Sequence, residues 1–519
     1  MESKERAYLL DNINALLEGH TGKNVLVLKH NGSLNVTRSE IEELELEKRG
    51  VRVVYHRFYQ EKLRTAYEPY LSLIRKYVTQ KQKENTNFLE LFLERNQVYS
   101  LHKDIFRAYF SGKKPVRKEN LLIGEYAFEK KKIRTTVISM LLEIAQMQPI
   151  MFILNAVDFA GISTWEVASH FKQLGMDSNI RVLLIYNELG NGLNSASKFK
   201  HKFIKECEDE EIAYEWLLDA ENKKNTEHVS FRYQIKQMPE YLKILRDLSC
   251  FLEYETVNEY LKSFMMEHRL GQPELLAEQK EQLLMCFFWS SLGVKSYADA
   301  LLVCNLLRQL PVRKEQRLQI DYQVAYFKTL VYLYSRTELE LQKSLAECSR
   351  LAEKLKDEKK LFEVELISNM ARYFGWDDMW VSEQDSIVTE EFLQQCEQYE
   401  AYNHLAHILV YSFNSDYKKF QKVEEIKGRI PEFMAGIALG KKLGNQQFLI
   451  EAYRKNIMLA SIHGYYSVAI YFYQASLDVI YGKANWVTEA GIYNGIGYSN
   501  CGLGHYIVAH QYYNQALKI

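Results

Sequence analysis

The chain has 519 residues, of which 47% are hydrophobic and 26% charged, and its formal net charge is −1. That length supports two or three domains with real cores, and that composition excludes wholesale disorder. A charge so near zero gives no global attraction to nucleic acid or to a membrane surface. The 7 cysteines are scattered singly with no C-x-x-C pair, a pattern that favours a reducing cytoplasm over a disulfide or zinc framework. The amino terminus, MESKERAYLL, lacks an apolar signal core, and no run approaches the roughly 18–20 apolar residues of a membrane span. A soluble cytoplasmic protein is expected. Scarce Pro, at 7 residues, and abundant Tyr, at 36, favour a helix-rich chain with aromatic packing between helices.

In chain order, residues 7–18 have helical spacing, with Leu9, Leu10, Ile13 and Leu17 on one side. Residues 24–28 read as a buried strand, followed by a polar turn and a helix over 39–49 that Gly50 closes. A second strand is predicted over 51–59, and a helix opens near Pro69, which suits Pro's preference for a first turn. Residues 80–129 are helical and polar, with basic runs at 111–120 and 129–134. Those runs read as a solvated face or loop, or alternatively as an anion or nucleic-acid patch. A strong amphipathic helix over 133–148 is stopped by Pro149. The continuous apolar run at 150–154 then has the pattern of a central parallel strand covered on both faces. A helix over 163–175 with Ser163 as its N-cap, a buried strand over 181–188 and a last strand over 212–218 complete an alternation of strand and helix. Such alternation predicts a three-layer α/β domain with a mainly parallel sheet.

The turn after the first strand is where a phosphate loop, G-x-x-x-x-G-K-[ST], would sit. There backbone N–H groups cradle phosphates, the Lys neutralises charge and the hydroxyl holds magnesium. Aligned by strand end, Lys29 takes the place of the first glycine, Leu34 the second, Asn35 the lysine and Val36 the hydroxyl. Gly32 is the one residue in keeping with such a loop. Elsewhere, the GNG at 190–192 follows a strand but has no Lys-Ser, and Gly22-Lys23 precedes its strand instead of following it.

This order of elements, with IMFIL followed by DFA and then RVLLIYNE, resembles the NTPase domain of the STAND class of signalling ATPases, relatives of AAA proteins. The resemblance implies a P-loop NTPase-like fold over residues 1–225. In that family the strand after the long helix ends in two acidic residues, one for magnesium and one to polarise water. The matching places here hold Asn155 and Ala156, with Asp158 two residues beyond, where it is expected to point away from the phosphates. The place of the family's sensor arginine holds Asn187. Without the Lys and the metal carboxylate, an NTPase lacks its two main sources of transition-state charge stabilisation. No catalytic residue, metal or cofactor is therefore expected.

From residue 231 the pattern is almost wholly helical. Residues 226–310 read as a helical adaptor and 311–519 as tetratricopeptide (TPR)-like repeats, giving an all-α superhelical solenoid after the α/β domain. Helix pairs are predicted at 296–310 with 316–335 and at 339–356 with 360–373. An aromatic and acidic loop at 374–380 follows, whose Asp377 and Asp378 are read as a helix cap in preference to a cation site. Gly464, Tyr466, Ala469, Tyr473 and Ser476 recur as Gly504, Tyr506, Ala509, Tyr513 and Ala516, always 40 residues apart. Together with Gly497 these residues match the TPR pattern, while Tyr493 replaces the usual Trp and Ile457 departs from the small residue expected. The glycines are expected to end the first helix of each pair, the aromatics to lock the turn, and the small residues to let helices approach. Carried over by position, the concave face exposes Arg454, Met458, Ser461, Asn494, Tyr498 and Cys501 to a protein or peptide partner.

The sequence stops inside a helix with no polar capping element, so a continuation or a covering chain is expected. The function expected is a non-catalytic sensory and interaction module, with a protein partner and no direct contact to nucleic acid or membrane. In bacterial proteins of the kind it resembles, the array feeds an output domain, often a diguanylate cyclase or a DNA-binding domain. The competing reading is an NTPase with an atypical site, for which Lys29, His30 and Asp158 are the residues to suspect. A passive TPR scaffold is the third.

Overall fold

The computed structural model describes residues 3–19, 22–30, 36–42, 45–59, 65–98, 100–113, 122–174, 178–187, 197–215, 238–267, 275–373, 388–416, 422–480 and 486–519. The chain forms a parallel α/β sheet with helices on both faces, followed by a long succession of helices. Gly32, Asn35, Leu34, the GNG at 190–192 and the pair Asp377-Asp378 lie outside the described residues.

The strands are β1 (Val25–His30), β2 (Arg52–Arg57), β3 (Ile150–Asn155), β4 (Ile180–Asn187) and β5 (Ala213–Glu215). They lie in the order β2-β3-β4-β1-β5, and every adjacent pair is parallel. The chain leaves β1 toward β2 at one edge and leaves β4 toward β5 at the other. Between neighbouring strands whose connections diverge in this way, a crevice opens at the carboxyl ends, the place where open α/β sheets bind ligands. β1 and β3 are buried at every position, as continuous apolar runs in a covered sheet require, whereas β2, at the edge, is half-buried along its whole length.

Among the described residues the helices of the sheet region are α1 (Ser3–Leu17), α2 (Arg38–Glu42), α3 (Tyr70–Glu84), α4 (Phe88–Arg95), α5 (Ser100–Phe110), α6 (Tyr126–Met147), α7 (Ile162–Gln173) and α8 (Ser197–Asp209). On one face Leu9, Ile13 and Leu16 of α1 pack on Leu26, Leu28, Met151, Ile153, Leu183 and Ile185, with Ile41 and Leu46 beside them. On the other, Phe152 meets Tyr70 of α3 at 4.9 Å and Phe171 of α7 at 6.5 Å, and Trp165 meets Phe203 of α8 at 5.6 Å. Alternate strand residues serve opposite faces, so the continuous apolar runs read from the sequence fill the core on both sides of the sheet.

Several local expectations change. The helix expected over 39–49 is the short α2 and then a 3-10 turn at Leu46–Arg49, preceded by Glu45 in the left-handed region at φ 52°. Ser163 is not the N-cap of α7. Gly161 takes that position, and the Ser163 hydroxyl, inside the helix, accepts the Tyr67 N–H at 3.1 Å. The basic run at 129–134 is solvated only in part, with Lys131 exposed and Arg134 half-buried. Glu129, Lys130 and Lys132 are buried on α6, where Glu129 joins His102 at 2.6 Å and Lys132 at 2.7 Å. Buried ionised groups persist only when paired in this way.

Contacts divide the chain into two compact units. The first comprises Met1–Val98, His102–Arg117 and Glu129–Pro311, and so includes α9 (Met238–Cys250), α10 (Tyr254–Glu267), α11 (Ala277–Gly293) and α12 (Tyr297–Arg308). The second comprises Val312–Ile519 with Tyr99–Leu101 and Lys118–Phe128. It contains α13 (Lys314–Ser335), α14 (Glu338–Leu355), α15 (Glu358–Tyr373), α16 (Glu390–Gln398), α17 (Tyr402–Asp416), α18 (Val423–Leu443), α19 (Gln446–Ile462), α20 (Tyr466–Ile480), α21 (Trp486–Gly502) and α22 (Tyr506–Lys518).

The 40-residue period appears as the pairs α19–α20 and α21–α22. Gly464 and Gly504 stand between the helices of each pair at φ +74° and +78°, a region that L side chains rarely adopt. Ala469 and Ala509 are buried between helices. The tyrosines that follow the glycines do not lock their own turn. Tyr466 lies across the next pair, against Gly502 and edge-on to the Tyr498 ring at 6.1 Å, and Tyr506 is 71% exposed. The ring is long enough to reach the next first helix, which offers a glycine as its seat.

Candidate functional site

At the carboxyl end of the sheet, the residues aligned with the phosphate loop and the metal acids are tied to one another. Asn155 ends β3 on the same face as Met151 and Ile153, and its Nδ2 donates to the Val36 carbonyl at 3.0 Å. The same amide donates to the Tyr55 hydroxyl at 3.2 Å, and that hydroxyl donates in turn to the Val36 carbonyl. Val36 and Asn155 are buried, Val36 within the α1-side core. The Val36 backbone carbonyl thus accepts from two neutral donors, where a nucleotide site would present a carboxylate to a metal ion.

Lys29 is not part of this cluster. In β1, Leu26 and Leu28 face α1, so Lys29 faces the opposite side, where its Nζ meets Glu208 Oε1 of α8 at 2.6 Å. Ala156 adopts φ 53° and leads a 3-10 turn at Val157–Phe159 that carries Asp158, which is fully buried. His30 is buried at the end of β1. The structure therefore joins Val36 and Asn155, adds Tyr55, which sequence reasoning missed, and sets Lys29 on the other face. Tyr55 sits two residues before the end of β2, and only the strand register, Tyr55 opposite Ile153, brings it to Asn155.

In the helical unit, Arg454 and Met458 are exposed on α19, with Ser461 half-buried beyond them. Asn494 and Tyr498 are exposed on α21, with Cys501 half-buried. Each triplet follows i, i+4, i+7 spacing and shares one side of its helix. Cys501 Sγ accepts from the Tyr513 hydroxyl at 3.8 Å.

A second polar cluster of this unit escaped sequence reasoning. Glu125, in the segment Lys118–Phe128, is buried among α17 and the start of α19. Its carboxylate accepts from Asn403 Nδ2 at 2.9 Å, His407 Nε2 at 2.9 Å, the Leu122 N–H at 2.9 Å and Asn445 Nδ2. Asn445 also caps α19 through its Oδ1, which accepts the Phe448 N–H at 3.1 Å. Burial pushes the Glu125 pKa up. The hydrogen bond and charge of His407, with the Asn445 amide and the Leu122 N–H, outweigh burial and leave the carboxyl below its ordinary value. Leu122 beside it packs with Phe362, Leu366 and Phe392.

Among the described residues no helix is long and apolar enough to cross a membrane. No protein-family model matches the sequence, and no curated protein matches it. Among solved structures the chain is similar to a Signal Transduction ATPase with Numerous Domains (STAND) protein with a tetratricopeptide repeat sensor from Pyrococcus horikoshii. The identity is 9%, over 94% of this chain and 86% of that one, with a TM-score of 0.42.

Proposed function

We propose that this chain is a non-catalytic sensory and protein-interaction module of a bacterial signalling protein. Its α/β unit keeps a nucleotide-binding architecture without nucleotide chemistry, and its TPR-like helices receive a protein or peptide partner. Arg454, Met458, Ser461, Asn494, Tyr498 and Cys501 form the receiving surface. The output is carried by a further domain, a diguanylate cyclase in the first instance. That last step follows from the family resemblance of the sequence alone.

The observation that carries the reading is the closure around Val36. Its carbonyl is held by Asn155 Nδ2 at 3.0 Å and by the Tyr55 hydroxyl, so the strand end engages the chain's own backbone. Lys29, near the end of β1, is committed to Glu208 on the other face. The competing ATPase reading needs both arrangements to come apart.

Equilibrium titration of the full chain with fluorescent ATP and magnesium separates the two. No saturable binding is expected up to about 1 mM, a free energy weaker than about −4 kcal/mol. Micromolar, magnesium-dependent binding that disappears in Lys29→Ala overturns the pseudo-enzyme reading.

A further inference from the structure

Beside the sheet's outer edge lies a groove of about 740 Å³. Five consecutive residues of β2, Arg52 to His56, line it, so its floor is the edge of the strand and not one of its faces. One wall carries Ile41 and Leu46, from α2 and the 3-10 turn, and the other carries Leu73 and Tyr77 of α3. In the sheet order β2 is terminal, with β3 on its inner side.

The direction of the peptide groups follows from two hydrogen bonds. Arg52 and Phe58 donate their N–H groups inward, to Pro149 O at 2.8 Å and to Asn155 O at 3.0 Å. Even-numbered residues therefore address β3, and by the two-residue period of a strand Val53 turns its N–H and C=O toward the groove. A sheet edge exposed in this way is a template for another extended backbone. The apolar side chains of the walls are themselves buried, and the exposed lining is polar, with Arg38, Glu42 and Glu47 on one side and Ser72, Lys76 and Gln80 on the other.

Charge selects among such backbones. At the rim Arg38 is paired with Glu42 at 2.7 Å and Lys48 with Glu45 at 2.5 Å, leaving Arg52 and Lys76 against Glu47. Among the described lining residues the balance is positive and favours an acidic residue in the occupant.

We propose that this groove receives an extended peptide of a partner protein, added antiparallel to β2 as a sixth strand. One of its residues exchanges both backbone hydrogen bonds with Val53. Short branched side chains alternate between the two walls, and one acidic side chain meets Arg52 and Lys76. This surface belongs to the α/β unit and is independent of the reading of the helical repeats.

The test is fluorescence polarisation of the full chain with a labelled peptide, Thr-Val-Thr-Val-Asp-Val-Thr. Saturable binding with Kd below about 500 μM is expected. The same peptide N-methylated at alternate amides on its pairing edge should bind at least tenfold more weakly, and Lys76→Glu should weaken the parent peptide several-fold. Absence of saturable binding overturns the proposal, and so does equal binding of the parent and N-methylated peptides.

Discussion

Asn155 shows how a single neutral side chain defines the character of the sheet end. Its amide is a donor aimed at a carbonyl, and Asn155→Asp would replace that donor with a charged acceptor facing the Val36 oxygen. The substitution that looks like restoring a metal ligand is therefore expected to destabilise the protein by about 1–3 kcal/mol, as for a buried polar group stripped of its partner. Urea denaturation of the variant against the parent chain measures it. The placement of Asn155, Ala156 and Val36 at the carboxyl end of the sheet was legible in the sequence, because strand ends can be located from apolar runs. The opposite facing of Lys29 was legible in principle from the two-residue period. Its pairing with Glu208 was not, since 179 residues separate the two. The run at 129–134 misled for a related reason. Charge density predicts solvation, and only the fold supplies His102 to Glu129 and Glu253 to Lys130.

The helix pairs α19–α20 and α21–α22 depend on where small residues fall. A Cβ on Gly495 would stand 2.1 Å from the Tyr473 ring, so the two helices touch there with no room for a methyl group. Gly491, one turn earlier on α21, is exposed and meets nothing within 4 Å. Gly495→Ala is expected to cost about 1–3 kcal/mol through overpacking. Gly491→Ala, by contrast, should gain up to about 1 kcal/mol by restricting the unfolded chain and favouring helix. Opposite shifts in melting temperature from these two variants check the assignment of faces. The repeat itself was visible as a 40-residue offset. The seat of Tyr466 on the following pair was not, because the pattern marks positions within one repeat and is silent about which neighbour a ring reaches.

At the level of the whole molecule the two units carry buried carboxylates with opposite responses to pH. In the first, burial pushes Glu253 up to about 7 against the pull of Lys130. Its raised value means that the folded state holds a proton the unfolded chain releases, so this contribution is fully present below the usual carboxylate range. It is lost as pH rises toward 7. In the second, Glu125 is held low, so its contribution is present above the usual range and fades as pH falls through its folded value. Glu253→Gln should therefore compare more favourably with the parent at pH 8 than at pH 5. Glu125→Gln should be most damaging near pH 7 and least below pH 4, with differences on the order of 1–3 kcal/mol for each. Calorimetric scans of the full chain across that pH range give the two slopes.

The carboxylate of Glu125 also sets an order for biosynthesis. Asn403 lies 278 residues downstream of it and Asn445 320 residues downstream, so a nascent chain exposes this acid and Leu122 long before their partners leave the ribosome. Contacts closed over such separations are late and slow. The helical unit is thus completed last, around a segment that was translated among the strands.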